Sequence, residues 1–216
     1  MASQRDVVRA LLDRHGRTYA EDLGLDLTKG TPSPLFRWLT ASILLSARIG
    51  ATQAMRAAKA LADAGWTTPA KMAGATWDQR VRVLNANGYA RYDESTSRML
   101  GETSAFVRDT YGGDLRRLRD AAERDPASER RLLKELKGLG DVGVDIFFRE
   151  MQVAWDELYP FAGERAHRTA RELGLPADDA GLAKLVDRKD FPRLAAALIR
   201  AGLAKDVDGV RAAAFG

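Results

Sequence analysis

The chain has 216 residues, 45% hydrophobic and 30% charged, a composition that folds and excludes a disordered polymer. It has no cysteine, which excludes disulfides, thiol catalysis, zinc–cysteine sites and iron–sulfur clusters. Thirty-four basic and thirty acidic residues leave a formal net charge of +4 and a pI of about 9.5. A polyanionic partner is permitted, and any footprint for one has to come from local charge placement.

No apolar run reaches membrane-spanning length, and no signal-peptide core follows Met1-Ala2-Ser3-Gln4. The expected location is the cytoplasm, with no membrane partner. Alanine, leucine and arginine dominate and β-branched residues are sparse, which favours helix. In chain order, apolar residues at 7, 8, 11 and 12 predict a helix over 6–14. A polar loop follows to Thr31-Pro32-Ser33-Pro34, where Ser33 is the expected N-cap and Pro34 the first helical residue. The helix over 35–47 is apolar almost all round, the mark of a buried helix. Gly50 breaks it, and a helix over 52–64 ends at Gly65.

Helix starts are read at Thr68-Pro69 and at Thr76-Trp77, the second helix closing at Gly88 as a left-handed cap. A long amphipathic helix spans 92–111 and stops at Gly112-Gly113, and a short one spans 114–122. Leu132, Leu133 and Leu136 share one face of a helix over 128–136. The turn Gly138-Leu139-Gly140-Asp141-Val142-Gly143 leads into a helix over 144–153. Further helices are expected over 160–173, closed by Gly174 and Pro176, and over 180–186 and 191–201. No strand pattern or repeat stands out. The expected fold is all-α, with ten or so short helices in one unit or in two lobes with a cleft.

The turn after residue 136 carries chemistry. Two helices joined by G-x-G leave backbone N–H groups unpaired at the start of the second helix. Those donors and the helix dipole make an anion site, and glycine lets a phosphate come close. Such a device holds a nucleic-acid backbone without reading bases. The same spacing also suits an ordinary helical hairpin whose glycines only make the turn.

Leu136-Lys137-Gly138-Leu139-Gly140 resembles the L-P-G-V-G hairpin of the endonuclease III-like DNA glycosylases, the helix-hairpin-helix-GPD superfamily. Ile43-Leu44-Leu45-Ser46-Ala47-Arg48 resembles that family's buried helix ending in L-L-S-A-Q. Gly88-Tyr89 and the helix from Tyr92 resemble its next turn and helix. Ala170-Arg171-Glu172-Leu173-Gly174-Leu175 resembles the helix after its catalytic aspartate. The matched segments keep the family order over roughly residues 30 to 176.

The resemblance implies a two-lobed helical fold with a helix-hairpin-helix, one unit over 1–216. Residues 30–125 would form a helical-barrel lobe with the hairpin at 128–153, and 1–29 with 154–216 the second lobe. It implies a monomeric base-excision repair hydrolase that binds duplex DNA and flips a damaged base. The hairpin contacts would come from Lys137, Gly138, Leu139, Gly140, Val142 and Gly143. No iron–sulfur cluster is expected, and the hairpin leaves room for a monovalent or divalent cation.

The family's chemistry uses a lysine just after the hairpin and an aspartate further on. Alignment places Val142 at the lysine, which cannot form an imine, so a monofunctional glycosylase without lyase activity is implied. The aspartate position is Gly163, which has no carboxylate. A DNA-binding or damage-recognition protein without catalysis is the alternative, and Gly163 is either natural or an inactivating change.

Glu164 is the nearest carboxylate, though a slip of one residue on a helix turns a side chain by about 100°. The commoner role for such a residue is a first-turn glutamate facing the dipole. Asp141 and Asp145 flank the hairpin, with Asp145 either facing a cleft or in a solvated or capping role. Asp156 and Glu157 read as surface charges. Arg48, at the family's glutamine, would contact an opened base pair or neutralise a helix end. Tyr89, Arg91 and Tyr92 form an aromatic–basic loop suited to stacking on DNA or to core packing. Arg165, Arg168 and Arg171, with His167 beside them, make a phosphate-facing stripe or a solvated face. Lys134 and Lys137 could neutralise phosphate. His15 and His167, with no cysteine partner, do not suggest a transition-metal site.

Overall fold

The computed structural model describes residues 3–215, and every regular element among them is helical. The helices are α1 (Gln4–His15), α2 (Tyr19–Asp22), α3 (Pro32–Ser46), α4 (Ala51–Asp63), α5 (Pro69–Gly74), α6 (Trp77–Ala86) and α7 (Asp93–Tyr111). They continue with α8 (Leu115–Ala121), α9 (Pro126–Lys134), α10 (Asp141–Met151), α11 (Glu164–Glu172), α12 (Asp179–Ala183), α13 (Phe191–Ala204) and α14 (Val207–Ala214). Single 3-10 turns lie at Asp156–Leu158 and Arg188–Asp190. The chain divides into two compact units. One takes the chain up to Asp22 and again from Phe148, and the other takes Leu23–Phe147.

Most boundaries follow local capping chemistry. Thr68 accepts the Lys71 N–H at the start of α5, and Thr76 with Gln79 closes a reciprocal capping box on α6. Gly88 and Gly112 take left-handed φ values of 82° and 59° at the ends of α6 and α7. The helix expected from Ser33 begins instead at Pro32, with Thr31 as cap. Pro32 and Pro34 both fit a first turn, where the missing N–H is not needed. Ser33 turns away and donates to the Thr67 carbonyl at 3.0 Å.

In the Leu23–Phe147 unit, α3 is the central element. Leu35, Trp38, Leu39 and Leu44 are wholly buried, and Trp38 Nε1 donates to the Phe147 carbonyl at 3.1 Å. Arg80 ties α5, α6 and α7 together from inside. Its guanidinium donates to the carbonyls of Met72, Ala75 and Ser97, which satisfies a buried charge with backbone acceptors. Gly101 gives it room, since a Cβ there would lie 2.5 Å from Arg80 Nη2.

The other unit is built on α13, whose Phe191, Leu194, Ala197 and Leu198 are wholly buried against α1 and α11. α13 runs past 201 to Ala204, where Lys205 takes φ 54° and closes it. α2 and α14 were not expected. α2 is too short to show a period; Thr18 and Glu21 cap its start reciprocally, and Glu150 on α10 accepts its Tyr19 and Ala20 amides. The helix expected over 160–173 starts only at Glu164, because Phe161 in the preceding segment bonds the Gln152 amide through both its N–H and its carbonyl.

Candidate nucleic-acid interface

The hairpin is α9, the turn through Gly140, and the start of α10. Asp125 caps α9 by accepting the Ser128 N–H at 2.8 Å. α10 starts at Asp141, earlier than the expected Val144, so Val142 and Gly143 lie in its first turn. The Val144 N–H bonds to the Gly140 carbonyl at 3.0 Å. The amides of Asp141, Val142 and Gly143 therefore precede the first helical acceptor, as at any helix start.

The turn is seated from both sides. Gly138 has φ 85°, and a Cβ on it would lie 3.0 Å from Met99 Sδ and 3.1 Å from Ile43 Cγ2. Thr103 on α7 donates to the Lys137 carbonyl at 2.8 Å. Ser46 on α3 lies against Gly143, where a Cβ would also meet Leu139 Cδ1 at 2.8 Å. Gly138 and Gly143 are thus demanded by backbone or packing. Gly140 is not. Its φ is outside the left-handed region, and among the described residues nothing lies within 4 Å of where its Cβ would stand.

The charges around the turn are unevenly engaged. Lys134 Nζ donates to both Asp141 carboxylate oxygens, at 2.9 and 3.0 Å, and this bond holds the Asp141 carboxyl below its usual range. Arg130 pairs with Asp145 at 2.6 Å, so Asp145 is an ion-pair partner within the hairpin. Lys137 and Arg48 are exposed. α3 ends at Ser46 and Ala47 is extended, so Arg48 stands beyond the helix end. Val142 is 54% exposed at the expected lysine position.

Two expected contacts are placed elsewhere. Tyr89 is wholly buried, its hydroxyl donates to the Leu44 carbonyl at 2.8 Å, and burial pushes its pKa up to about 12. Its ring is core and has no face to offer a base. Leu139 is 2% exposed, so it can contribute to a ligand only through its backbone. Arg91 is exposed and stacks over the Tyr92 ring at 5.3 Å. Tyr89→Phe is expected to cost about 1 kcal/mol in urea unfolding through the lost hydrogen bond and to leave any DNA affinity unchanged. A fall in affinity at unchanged stability would return Tyr89 to the interface.

The second constellation surrounds Gly163, in the other unit. Gly163 is buried, has φ 85° and ψ 160°, and forms the N-cap of α11. Glu164 follows it into solvent, its side chain 66% exposed and bonded to Arg171 at 2.8 Å. That bond holds the Glu164 carboxyl low, so it is ionised and cannot serve as a proton donor near neutrality. Arg165 and Arg168 are exposed, whereas Arg171 is committed to Glu164.

Asp179, at the start of α12, had no place among the expected site residues. Its Oδ1 accepts the Ala162 N–H and meets His167 Nε2, each at 2.8 Å. A carboxylate thus stands beside the residue preceding Gly163. The sequence signal for it was only an Asp at a helix start. His15 pairs with Asp206 at 2.7 Å. Asp156 pairs with Arg188 at 2.6 Å on the surface. Among the described residues no cluster of three or more histidine and acidic side chains is placed to hold a metal. No helix among them is long and apolar enough to cross a membrane.

Fold and site define an all-helical protein carrying a glycine-turned helical hairpin. No family model and no curated protein matches the chain. Among solved structures it is similar to an endonuclease III trapped as a covalent intermediate with DNA in an estranged-adenine complex. The identity is 17% and the TM-score 0.48, over 76% of this chain and 71% of that one.

Proposed function

We propose that this protein binds duplex DNA through its phosphate backbone, with the α9–α10 hairpin as the seat. The observation that carries the reading is Gly140. Neither conformation nor packing requires glycine there, and its open side borders the first amides of α10. A missing side chain at that place serves the approach of an anion to the backbone. Lys137 and Arg48 are exposed cations on segments adjoining the turn, and Lys137 and the amides would take phosphate oxygens. Contacts of this kind position a protein on DNA without selecting sequence. The ordered resemblance to endonuclease III-like glycosylases points the same way, toward a DNA-repair protein of the base-excision type. Val142 has no amine, so no imine with a sugar forms at that position and lyase activity is not expected.

Fluorescence anisotropy on a duplex containing an abasic analogue tests this. Binding should weaken linearly in log–log salt, with a slope of about −0.9 per phosphate engaged. Lys137→Ala should reduce that slope by about 1. Gly140→Ala should leave stability unchanged or raise it by up to about 1 kcal/mol, yet weaken binding about tenfold. Equal affinity of Gly140→Ala and the parent protein, or binding no tighter than to an acidic polymer, would sink the reading.

A second reading is damaged-base excision without strand cleavage. The anchored Asp179 carboxylate beside Ala162 favours it, as a substitute for the carboxylate missing at Gly163. It requires base release from a panel of alkylated, deaminated and oxidised duplexes, and loss of that release in Asp179→Asn. A blank panel removes this reading and leaves DNA binding standing.

A further inference from the structure

Two rows of charge face each other across the hairpin. Arg130 and Lys134 lie one turn apart on α9, and Asp141 and Asp145 lie one turn apart on α10. The pair further from the turn, Arg130–Asp145, is part-buried and bonded at 2.6 Å. The pair beside the turn is more open, with the Lys134 side chain 44% exposed and that of Asp141 67%. Lys134 Nζ holds both oxygens of Asp141, and Arg130 Nη1 stands 3.7 Å from one of them. An ion pair this open adds little to stability, and the inner pair already ties α9 to α10. Asp141 is also the residue that begins α10, so its amide is the first that the proposed phosphate seat offers. A carboxylate thus stands beside that seat with a lysine bonded to it.

We propose that Asp141 holds Lys134 in reserve, and that the lysine changes partner, from this carboxylate to a DNA phosphate, when a strand seats on the hairpin. The proposal rests on the DNA-binding reading above and adds a restraint to it. Asp141 opposes binding twice. Its charge repels the incoming phosphate, and it occupies a lysine that would attract one. The exchange is easy for this pair. An ammonium is a point charge with rotatable donors on a flexible stem, and both partners are already in water. When Lys134 turns away, Asp141 still has Arg130 within reach from the same row of α9. Arg130 keeps its bond to Asp145, so the hairpin holds its shape through the exchange. An anion that engages the turn amides and Lys137 together displaces the carboxylate, whereas one that touches the surface singly does not.

Anisotropy of the full chain on the abasic-analogue duplex tests the exchange. Asp141→Asn should tighten binding about tenfold at low salt, with the gain shrinking as added salt screens it. Lys134→Ala should lower the log–log salt slope by about 1, as loss of a phosphate contact does. The pair is exposed, so both variants keep the fold. A lysine that only braced the hairpin would leave the slope where it was. Binding that is unchanged or weaker in Asp141→Asn, or an unchanged slope in Lys134→Ala, would each overturn the proposal and leave the pair a strut between α9 and α10. Gly140→Ala and Lys137→Ala tell that failure from a failure of the reading beneath it. If they still weaken binding, the hairpin remains the seat and only the exchange falls; if they too are silent, both fall.

Discussion

Gly138→Ala is expected to destabilise the protein by about 3 kcal/mol and to abolish the proposed hairpin-dependent DNA binding. Two costs add. An alanine at φ 85° carries a left-handed penalty of about 1–2 kcal/mol. Its Cβ would also stand 3.0 Å from Met99 Sδ and 3.1 Å from Ile43 Cγ2, tighter than ordinary contact. Met99 is flexible and can yield, but Ile43 is buried on α3 and branched at Cβ, so the turn itself must shift. A shift there moves the Lys137 carbonyl off Thr103 and re-aims the first amides of α10. Urea unfolding and anisotropy on the same preparations give both quantities. The contrast with Gly140→Ala is diagnostic, because that change should spare the fold and weaken only binding. Loss of less than about 1 kcal/mol for Gly138→Ala would show that the seat is softer than its packing implies.

Gly163→Asp restores a carboxylate where the family resemblance places one, and it is expected to cost about 2 kcal/mol and give no base release. The pair φ 85°, ψ 160° is a region that essentially only glycine occupies. An aspartate must either carry that strain or rotate the start of α11, which would disturb the Ala166 and His167 amides bonded to the Gly163 carbonyl. Arg149 offers partial compensation. Its Nη2 lies 3.5 Å from where the new Cβ would stand, so a carboxylate would meet a buried guanidinium. That guanidinium already donates Nε to the Ala162 carbonyl at 2.9 Å, so the loop is organised around glycine, not around a vacant acid. Thermal unfolding and the lesion panel measure the two effects. A Gly163→Asp protein as stable as its parent and active in base release would mean that position 163 had simply lost its acid.

Much of the fold was legible because its signals are local. Thr68, Thr76, Asp114 and Asp125 cap their own helices, and Gly88 and Gly112 close theirs within a few residues. The apolar run of α3 announced its burial, and Trp38 and Leu44 lie at the middle of its unit. Where the reading failed, a distant partner had decided. Ser33 gave up its capping role for the Thr67 carbonyl, and Tyr89 left the surface to donate to Leu44. Residues 160–163 stayed outside the helix because Gln152 bonds both the N–H and the carbonyl of Phe161. α2 has a local capping box of Thr18 and Glu21, but its first amides go to an acceptor far along the chain, Glu150.

The sequence by itself determined an all-helical chain without cysteine, a glycine turn between two helices, and the absence of an amine at 142 and an acid at 163. Those are facts of composition, period and residue identity. Only the tertiary structure separated the duties of the three hairpin glycines. Gly138 answers to α3 and α7, Gly143 to Leu139 and Ser46, and Gly140 to nothing among the described residues. It also decided which charges are committed, pairing Asp145 with Arg130, Glu164 with Arg171 and Asp179 with His167. The reason is physical. A cap or a period is written within one turn of helix, whereas steric room and ion pairing depend on side chains brought together from distant segments.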